Sequence, residues 1–260
     1  MSPVAAYPFK IDGDVLKLVA DPFEANHTGL LYVFLLAITR VSMESTSRRL
    51  KNIDPTLLFE EICAESLCQF WGGRSVISDV FVIGTSNKTA KDDQGRYPAL
   101  INSLSKQLQE GGGWRKGAKS PGAGDGGLDV AVWRRFYDKR PGALVGFAQC
   151  KTGDRWREHL GKNNPGSICH AYFSTPLVLT PLPIYMVPCR VSLDEWSQVM
   201  RKHTTGLLFD RCRITTFCTH LSNEIIEGCV SWVSVAIDRE YEDLIAKEII
   251  SAPATRGAAS

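Results

Sequence analysis

An acid, an amide and a lysine recur around one short stretch of this chain. Asp129 follows the run Gly124-Asp-Gly-Gly127, with Leu128 between, and Gln149-Cys-Lys151 closes the next apolar segment. Side chains alternate across a strand, so Gln149 and Lys151 share one face and Cys150 points to the other. A hairpin joining the two segments sets the start of the first beside the end of the second. Asp129, Gln149 and Lys151 then gather at one end. A carboxylate and an amide oxygen are hard ligands suited to Mg²⁺, which keeps several waters and also accepts phosphate oxygens. The main-chain carbonyl of Cys150 offers a further oxygen. A lysine alongside can orient an attacking water or stabilise charge growing on a phosphate. Hydrolysis of a phosphodiester needs these parts together. Each residue also has a plainer use: Asp129 as a turn residue, Gln149 as a satisfied core amide, Lys151 as an exposed strand end.

The elements that must position these groups can be read from patterning. Leu128 to Phe136 and Ala143 to Lys151 are two strands, and Asp138-Lys-Arg-Pro-Gly142 is the turn between them. Upstream, Asp54-Pro55 is a helix start, with Asp able to cap and Pro suited to the first turn. That helix runs to about Trp71 and stops at Gly72-Gly73. Ser75 to Thr85 is β-branched and apolar, as a strand is. Residues 98 to 110 suit a helix, with Leu100, Leu104 and Leu108 on one face. Eight of the seventeen residues from Gly111 to Gly127 are glycine, which predicts a long flexible loop.

Further on, Pro183 to Val191 reads as a strand and Ser192 to His203 as a helix. Ser192 would cap that helix, with Glu195 as its capping-box partner. Leu207 to Phe217 is a further strand candidate and Glu240 to Ile250 a final helix. Strands alternating with helices predict an α/β protein with a mixed central sheet flanked by helices. The expected organisation is an N-terminal arm and helix at 1–54 packing on the core, a main domain at 55–251 with a glycine-rich insertion at about 84–124, and a loose tail at 252–260.

GDGGLDV followed, after a hairpin, by AQCK resembles the PD-(D/E)xK nuclease superfamily. The closest variant is that of Mrr-like restriction endonucleases, in which glutamine replaces the acid before the lysine. Leu58-Phe-Glu-Glu-Ile-Cys-Ala-Glu65 resembles the first helix of that group. The likeness spans about residues 55 to 155 and, weakly, 183 to 217. It implies a restriction-endonuclease-like core and a DNA endonuclease dependent on Mg²⁺ or Mn²⁺. By the resemblance Glu60 is the helix acid, Asp129 the central metal ligand, Gln149 the second ligand and Lys151 the catalytic lysine. Glu61 and Glu65 compete with Glu60 for the helix role. The stretch between the early strand and Asp129 is longer than the compact family pattern. The resemblance also implies a setting in prokaryotic defence against phage or plasmid DNA. A partner protein would supply recognition or control, since the sequence has no P-loop pattern GxxxxGK[ST]. The alternative is a nuclease-fold module that holds nucleic acid or a partner without cutting.

Charge agrees with a polyanionic partner. The chain carries only +2 overall, yet Lys106 to Lys162 holds twelve Lys or Arg against six Asp or Glu. Arg115, Lys116, Lys119, Arg134, Arg155 and Arg157 are candidates for phosphate contacts, joined by Arg135, Lys139, Arg140 and Lys162. Trp114, Trp133 and Trp156 interleave with them and could stack or pack. Asp125, His159 and His170 are weaker candidates for the site.

Other classes fit poorly. Apolar residues at 44% and charged residues at 22% exclude a disordered chain or a coiled coil. The eight cysteines include no CxxC pair. Cys212, Cys218, His220 and Cys229 are the nearest thing to a zinc cluster, and a zinc-stabilised interaction protein is a third reading. Met1 to Ala20 lacks a basic start and a long apolar core, so a reducing, cytoplasmic setting is expected. The apolar run from Gly29 to Thr39 is too short to span a membrane. Residues 29–45 are expected to form a helix, either in the core or serving a partner or oligomer interface.

Overall fold

The computed structural model describes residues 7–19, 27–41, 48–84, 96–121, 126–153, 155–160, 164–203 and 206–251. Two short strands open it, β1 (Phe9–Asp12) and β2 (Val15–Leu18), paired antiparallel. Asp12-Gly13-Asp14 makes the turn, with Gly13 at φ +62°, a conformation open to glycine without cost. The sequence predicts only an extended arm here. Tyr7 packs edge-on against Tyr32, with ring centroids 5.4 Å apart.

Next come α1 (His27–Ile38), α2 (Pro55–Phe70), β3 (Ser78–Val82), α3 (Arg96–Leu108), β4 (Val130–Arg134) and β5 (Leu144–Cys150). They are followed by α4 (Trp156–His159), α5 (Pro165–Tyr172), β6 (Leu182–Met186), α6 (Leu193–His203), β7 (Leu207–Phe209), α7 (Arg211–Phe217) and α8 (Asn223–Ser251). The central sheet has the order β3-β4-β5-β6-β7. The first three strands form an antiparallel meander, and β6 and β7 add in parallel to β5. A parallel pair needs a crossover, and α4 with α5 supplies it between β5 and β6. The chain is thus α/β, with a five-stranded mixed sheet flanked by helices.

Period-2 alternation decides which helix covers which face. Val130, Val132 and Ala148 join Ile184 and Met186 beneath α1, α2 and α8. Ala131, Trp133, Val145 and Phe147 point the other way and pack with Leu100, Leu104 and Leu108 of α3. The three leucines are at most 1% exposed, so the face that their spacing predicts is the buried one.

Helix α2 starts as its sequence demands. The Asp54 carboxylate accepts from the Thr56 N–H at 3.1 Å and also from Arg48 at 2.9 Å. Helix α1 is apolar on all sides because it is enclosed: Leu31, Phe34 and Leu35 are fully buried, and the Phe34 ring lies 5.6 Å from that of Trp232 on α8. It is a core helix, which corrects the interface reading. It also ends at Ile38, before the expected residue 45, and the Thr39 hydroxyl turns back to the Leu36 carbonyl at 2.6 Å.

Four more expectations are corrected. Leu207 to Phe217 is a three-residue strand followed by a helix, because the Asp210 carboxylate accepts from the Arg213 N–H at 3.0 Å and caps α7. The final helix begins at Asn223, far before Glu240, with the Ser222 hydroxyl accepting from the Ile225 N–H at 3.3 Å. Ser192 does cap α6 by accepting from the Glu195 N–H at 3.2 Å, but the Glu195 carboxylate pairs with Arg157 instead of closing a capping box. The glycine-rich stretch has no regular structure in its described part, yet its start is fastened. The Trp114 N–H donates to Asn102 Oδ1 at 2.7 Å, and the Trp114 ring stacks on Tyr172. Asp125, Lys162 and the tail at 252–260 lie outside the described residues. No described helix is long and apolar enough to cross a membrane.

Candidate active site

The register of the hairpin brings the expected residues together. Val130 pairs with Ala148, so Asp129 falls opposite Gln149. The local ladder is irregular in a useful way. The Asp129 N–H donates to the Ala148 carbonyl at 2.9 Å, a carbonyl already facing Val130. Two residues against one is the pattern of a bulge, which re-aims a side chain at the end of a strand. The same happens one strand over, where the N–H groups of Ile83 and Gly84 both donate to the Asp129 carbonyl, at 2.8 and 2.9 Å. Asp129 is therefore held by its main chain on both sides.

Its side chain is 3% exposed, and Oδ2 accepts from the Cys150 N–H at 2.7 Å. A short bond from a main-chain amide to a carboxylate is of the strong, charge-assisted kind. It ties the acid of β4 to the strand that carries Gln149 and Lys151.

Glu60 arrives from α2 and is 7% exposed. Its carboxylate lies against Gly84, whose N–H is bonded to Asp129. A Cβ on Gly84 would sit 2.5 Å from Glu60 Oε2. Only glycine leaves room for the acid at that point. Both carboxylates act electrostatically on the thiols of Cys63 and Cys150. Burial pushes the Cys63 thiol up, and the bond with Cys63 followed by burial holds Cys150 well above the ordinary thiol value. Both remain thiols near neutral pH, so neither adds negative charge to the site. Cys150 packs on the α2 side, opposite to Gln149, as alternation requires.

Gln149 is 6% exposed, and its Oε1 is buried without a hydrogen-bond partner. A buried polar atom left unpaired costs about 1–3 kcal/mol. Carboxylate and amide oxygens are hard donors of the kind that suit Mg²⁺ or Mn²⁺ and not zinc. No group of three His, Cys, Asp or Glu poised for a metal exists among the described residues. Gln149 Oε1 and the Cys150 carbonyl would have to complete the set.

Lys151 continues the strand, its N–H donating to the Met186 carbonyl at 2.9 Å. It opens on a cleft of about 450 Å³ lined also by Gly153, Arg155, Trp156 and His159. His159 is thus the better placed of the two histidines; His170 lines a separate pocket with Arg115.

The proposed phosphate-binding cations do not converge. Arg155 shares the Lys151 cleft, and Arg157 is occupied by Glu195. Arg134 stands at the far end of β4 and donates to the Trp71 carbonyl at 3.0 Å. Arg115 is half-buried beside α5, and Lys116 and Lys119 are exposed on the glycine-rich loop.

Trp133 and Trp156 are packed in the interior, 2% and 4% exposed, and the half-buried Trp114 stacks on Tyr172. The zinc reading is corrected too. Cys212 is exposed while Cys218 and Cys229 are buried in the core, where burial pushes the Cys229 thiol up to about 12 and Cys218 higher still.

Sequence reasoning missed Gly84 and Cys63. Cys63 lies three residues after Glu60 on the same helix face, a signal that was available. Gly84 could be found only as the glycine that ends an apolar strand. Searches of family models, of curated proteins and of solved structures gave no match to this chain.

Proposed function

We propose that this protein is a metal-dependent endonuclease that hydrolyses DNA phosphodiester bonds, with a restriction-endonuclease-like core of the PD-(D/E)xK type. The observation that carries the proposal is the buried Asp129 carboxylate, fixed by the Cys150 N–H at 2.7 Å and paired in register with Gln149, with the buried Glu60 carboxylate against Gly84, whose N–H donates to the Asp129 carbonyl. The resemblance implies a helix acid, a strand acid and a Q-x-K triplet; the register that pairs Asp129 with Gln149 and the approach of Glu60 to Gly84 support that reading. Glu60, Asp129, Gln149 Oε1 and the Cys150 carbonyl would hold Mg²⁺ or Mn²⁺. When bound, such a cation lowers the pKa of water and draws charge from a phosphate oxygen.

The chain's own residues do the rest. The Cys150 N–H fixes the Asp129 carboxylate, so that group is already oriented before substrate arrives. Gly84 keeps Glu60 within reach. Lys151, in the open cleft, meets the charge that develops on the phosphate during in-line attack. Arg155 in the same cleft is placed to hold an adjacent phosphate. By the resemblance, the cut DNA is that of phage or plasmid, and a partner protein in the cytoplasm of a prokaryote supplies recognition.

The test is cleavage of supercoiled plasmid by purified protein in Mg²⁺ or in EDTA, beside Lys151→Ala and Asp129→Ala. Cutting that needs the metal and vanishes in both variants is the expected result. Cutting that survives in either variant overturns the site. Metal-dependent binding of DNA without cutting, by protein supplied with its genomic neighbours, favours the binding module instead.

A further inference from the structure

The far end of the same hairpin carries a second surface. Phe136 and Tyr137 follow β4 and are 68% and 77% exposed, which is unusual for consecutive aromatic residues. Val76 and Leu144, at the same end of the sheet, are 78% and 52% exposed. Arg134, Arg135, Lys139 and Arg140 flank the two rings, with Asp138 the one acid among them. This tip is built. Arg134 and Arg135 donate to the carbonyls of Trp71 and Val76, each at 3.0 Å, which plants both guanidinium groups on the α2–β3 turn. Asp138 Oδ1 accepts from the Arg140 N–H at 3.0 Å and shapes the turn, while Lys139 and Arg140 stay exposed.

We propose that this hairpin tip is a binding platform for single-stranded DNA, with Phe136 and Tyr137 stacking on unpaired bases and the four cations holding the flanking phosphates. Exposed rings between cations suit a polymer with flat apolar faces and a charged backbone. A purely apolar protein partner would not need four cations, and an acidic one would not need two exposed rings. The proposal rests on the nuclease reading for the identity of the polymer, and it moves the stacking role from the buried tryptophans to residues that are accessible. From Asp129 to Arg134 the hairpin runs roughly 17 Å at the usual strand rise. That is about five stacked nucleotides, so a strand anchored at the tip passes the acids some five nucleotides away.

The test is fluorescence anisotropy in EDTA, where no strand is cut, with labelled single-stranded 20-mers, blunt duplexes and vesicles containing phosphatidylserine. Wild type, Phe136→Ala/Tyr137→Ala, Lys139→Ala/Arg140→Ala and Lys151→Ala are compared. The aromatic double variant is expected to bind single strands on the order of tenfold more weakly. Its loss on blunt duplex is expected to be smaller. The cationic double variant should lower the slope of log K against log salt by about 1.4. Unfolding temperatures should not change, because the rings are exposed. Unchanged affinity in the aromatic variant, equal losses on both DNA forms, or binding of vesicles in preference to DNA overturns the platform. Loss of binding at the tip together with absence of cleavage in Mg²⁺ removes the nuclease and keeps the platform.

Discussion

Gly84→Ala asks the most of the site's geometry, because it touches the proposed chemistry without altering any group that performs it. An added Cβ would lie 2.5 Å from Glu60 Oε2, 2.6 Å from Cδ and 2.9 Å from Oε1. Ordinary contact begins at 3.4 Å, so the carboxylate must retreat by about 0.9 Å. The group that yields is the far end of a flexible side chain, and Gly84 does not have a positive φ, so the fold should absorb the change cheaply. Catalysis should not absorb it: displacing a positioned group by about 1 Å costs on the order of a hundredfold in rate. The assay is the initial rate of plasmid nicking in Mg²⁺, with an unfolding temperature measured on the same sample.

Two controls sharpen the result. A Cβ on Gly153 meets nothing within 4 Å, so Gly153→Ala should be silent although it borders the Lys151 cleft. In a Glu60→Gln background, Gly84→Ala should cost little more, since both changes disable one group. Full activity in Gly84→Ala, with the fold intact, would refute Glu60 as the helix acid and turn attention to Glu61 or Glu65.

Three further outcomes follow from the same structure. Mg²⁺ at a hundred times its dissociation constant should stabilise the protein by about 2.7 kcal/mol, or roughly 5–11 °C in Tm; Gln149→Met should leave the metal-free Tm unchanged or higher, because it removes a buried unpaired oxygen, while reducing the Mg²⁺ shift in differential scanning fluorimetry. Phe34→Ala should cost about 3–5 kcal/mol in urea unfolding, since Phe34 is fully buried against Trp232; a cost under about 1 kcal/mol would return α1 to a surface role. Burial raises the Asp54 pKa, but the hydrogen bonds from Arg48 and Thr56 and the charge of Arg48 outweigh it, so the folded value lies below the ordinary one. Its contribution is therefore complete above about pH 4 and is lost as pH falls through the folded value. Asp54→Asn keeps the helix cap and loses the ion pairs, so a Tm profile below about pH 4 should be flatter than that of wild type.

The hairpin and α2 were legible because their signals are local. Alternation over 130–134 and 144–150, a turn of Asp-Lys-Arg-Pro-Gly, and Asp54-Pro55 each specify one conformation within a few residues. Register then delivers Asp129 to Gln149 with no tertiary information. Other elements hid behind mixed propensity. Leu207 to Phe217 is rich in Leu, Phe, Ile and Thr, and it reads as one strand unless Asp210 is recognised as a cap. The first half of α8, with Cys229, Val230, Trp232 and Val233, looks like a strand from propensity alone. Burial against α1 makes it a helix, a case of packing outweighing intrinsic preference. The contact between Glu60 and Gly84 joins residues far apart in the chain through the sheet rim, and spacing cannot show it. The tryptophans misled for a physical reason: Trp133 and Trp156 fill separate core clusters and Trp114 packs against the first of them, while the most exposed aromatic rings among the described residues are Phe136 and Tyr137.

The glutamine at position 149 follows from the same burial. Glu60 and Asp129 are both nearly sealed from water, and each buried carboxylate must be offset by hydrogen bonds or a cation. A third carboxylate on the neighbouring strand would add repulsion between like charges in a region of low dielectric, and one of the three would take up a proton. On the proposed reading an amide oxygen would supply a ligand atom without that penalty. The two acids would then match one divalent cation, leaving the Lys151 charge available to the phosphate. On the proposed reading, Gln149→Glu should therefore bind Mg²⁺ more tightly yet gain no speed, because the added charge would draw Lys151 away from the substrate.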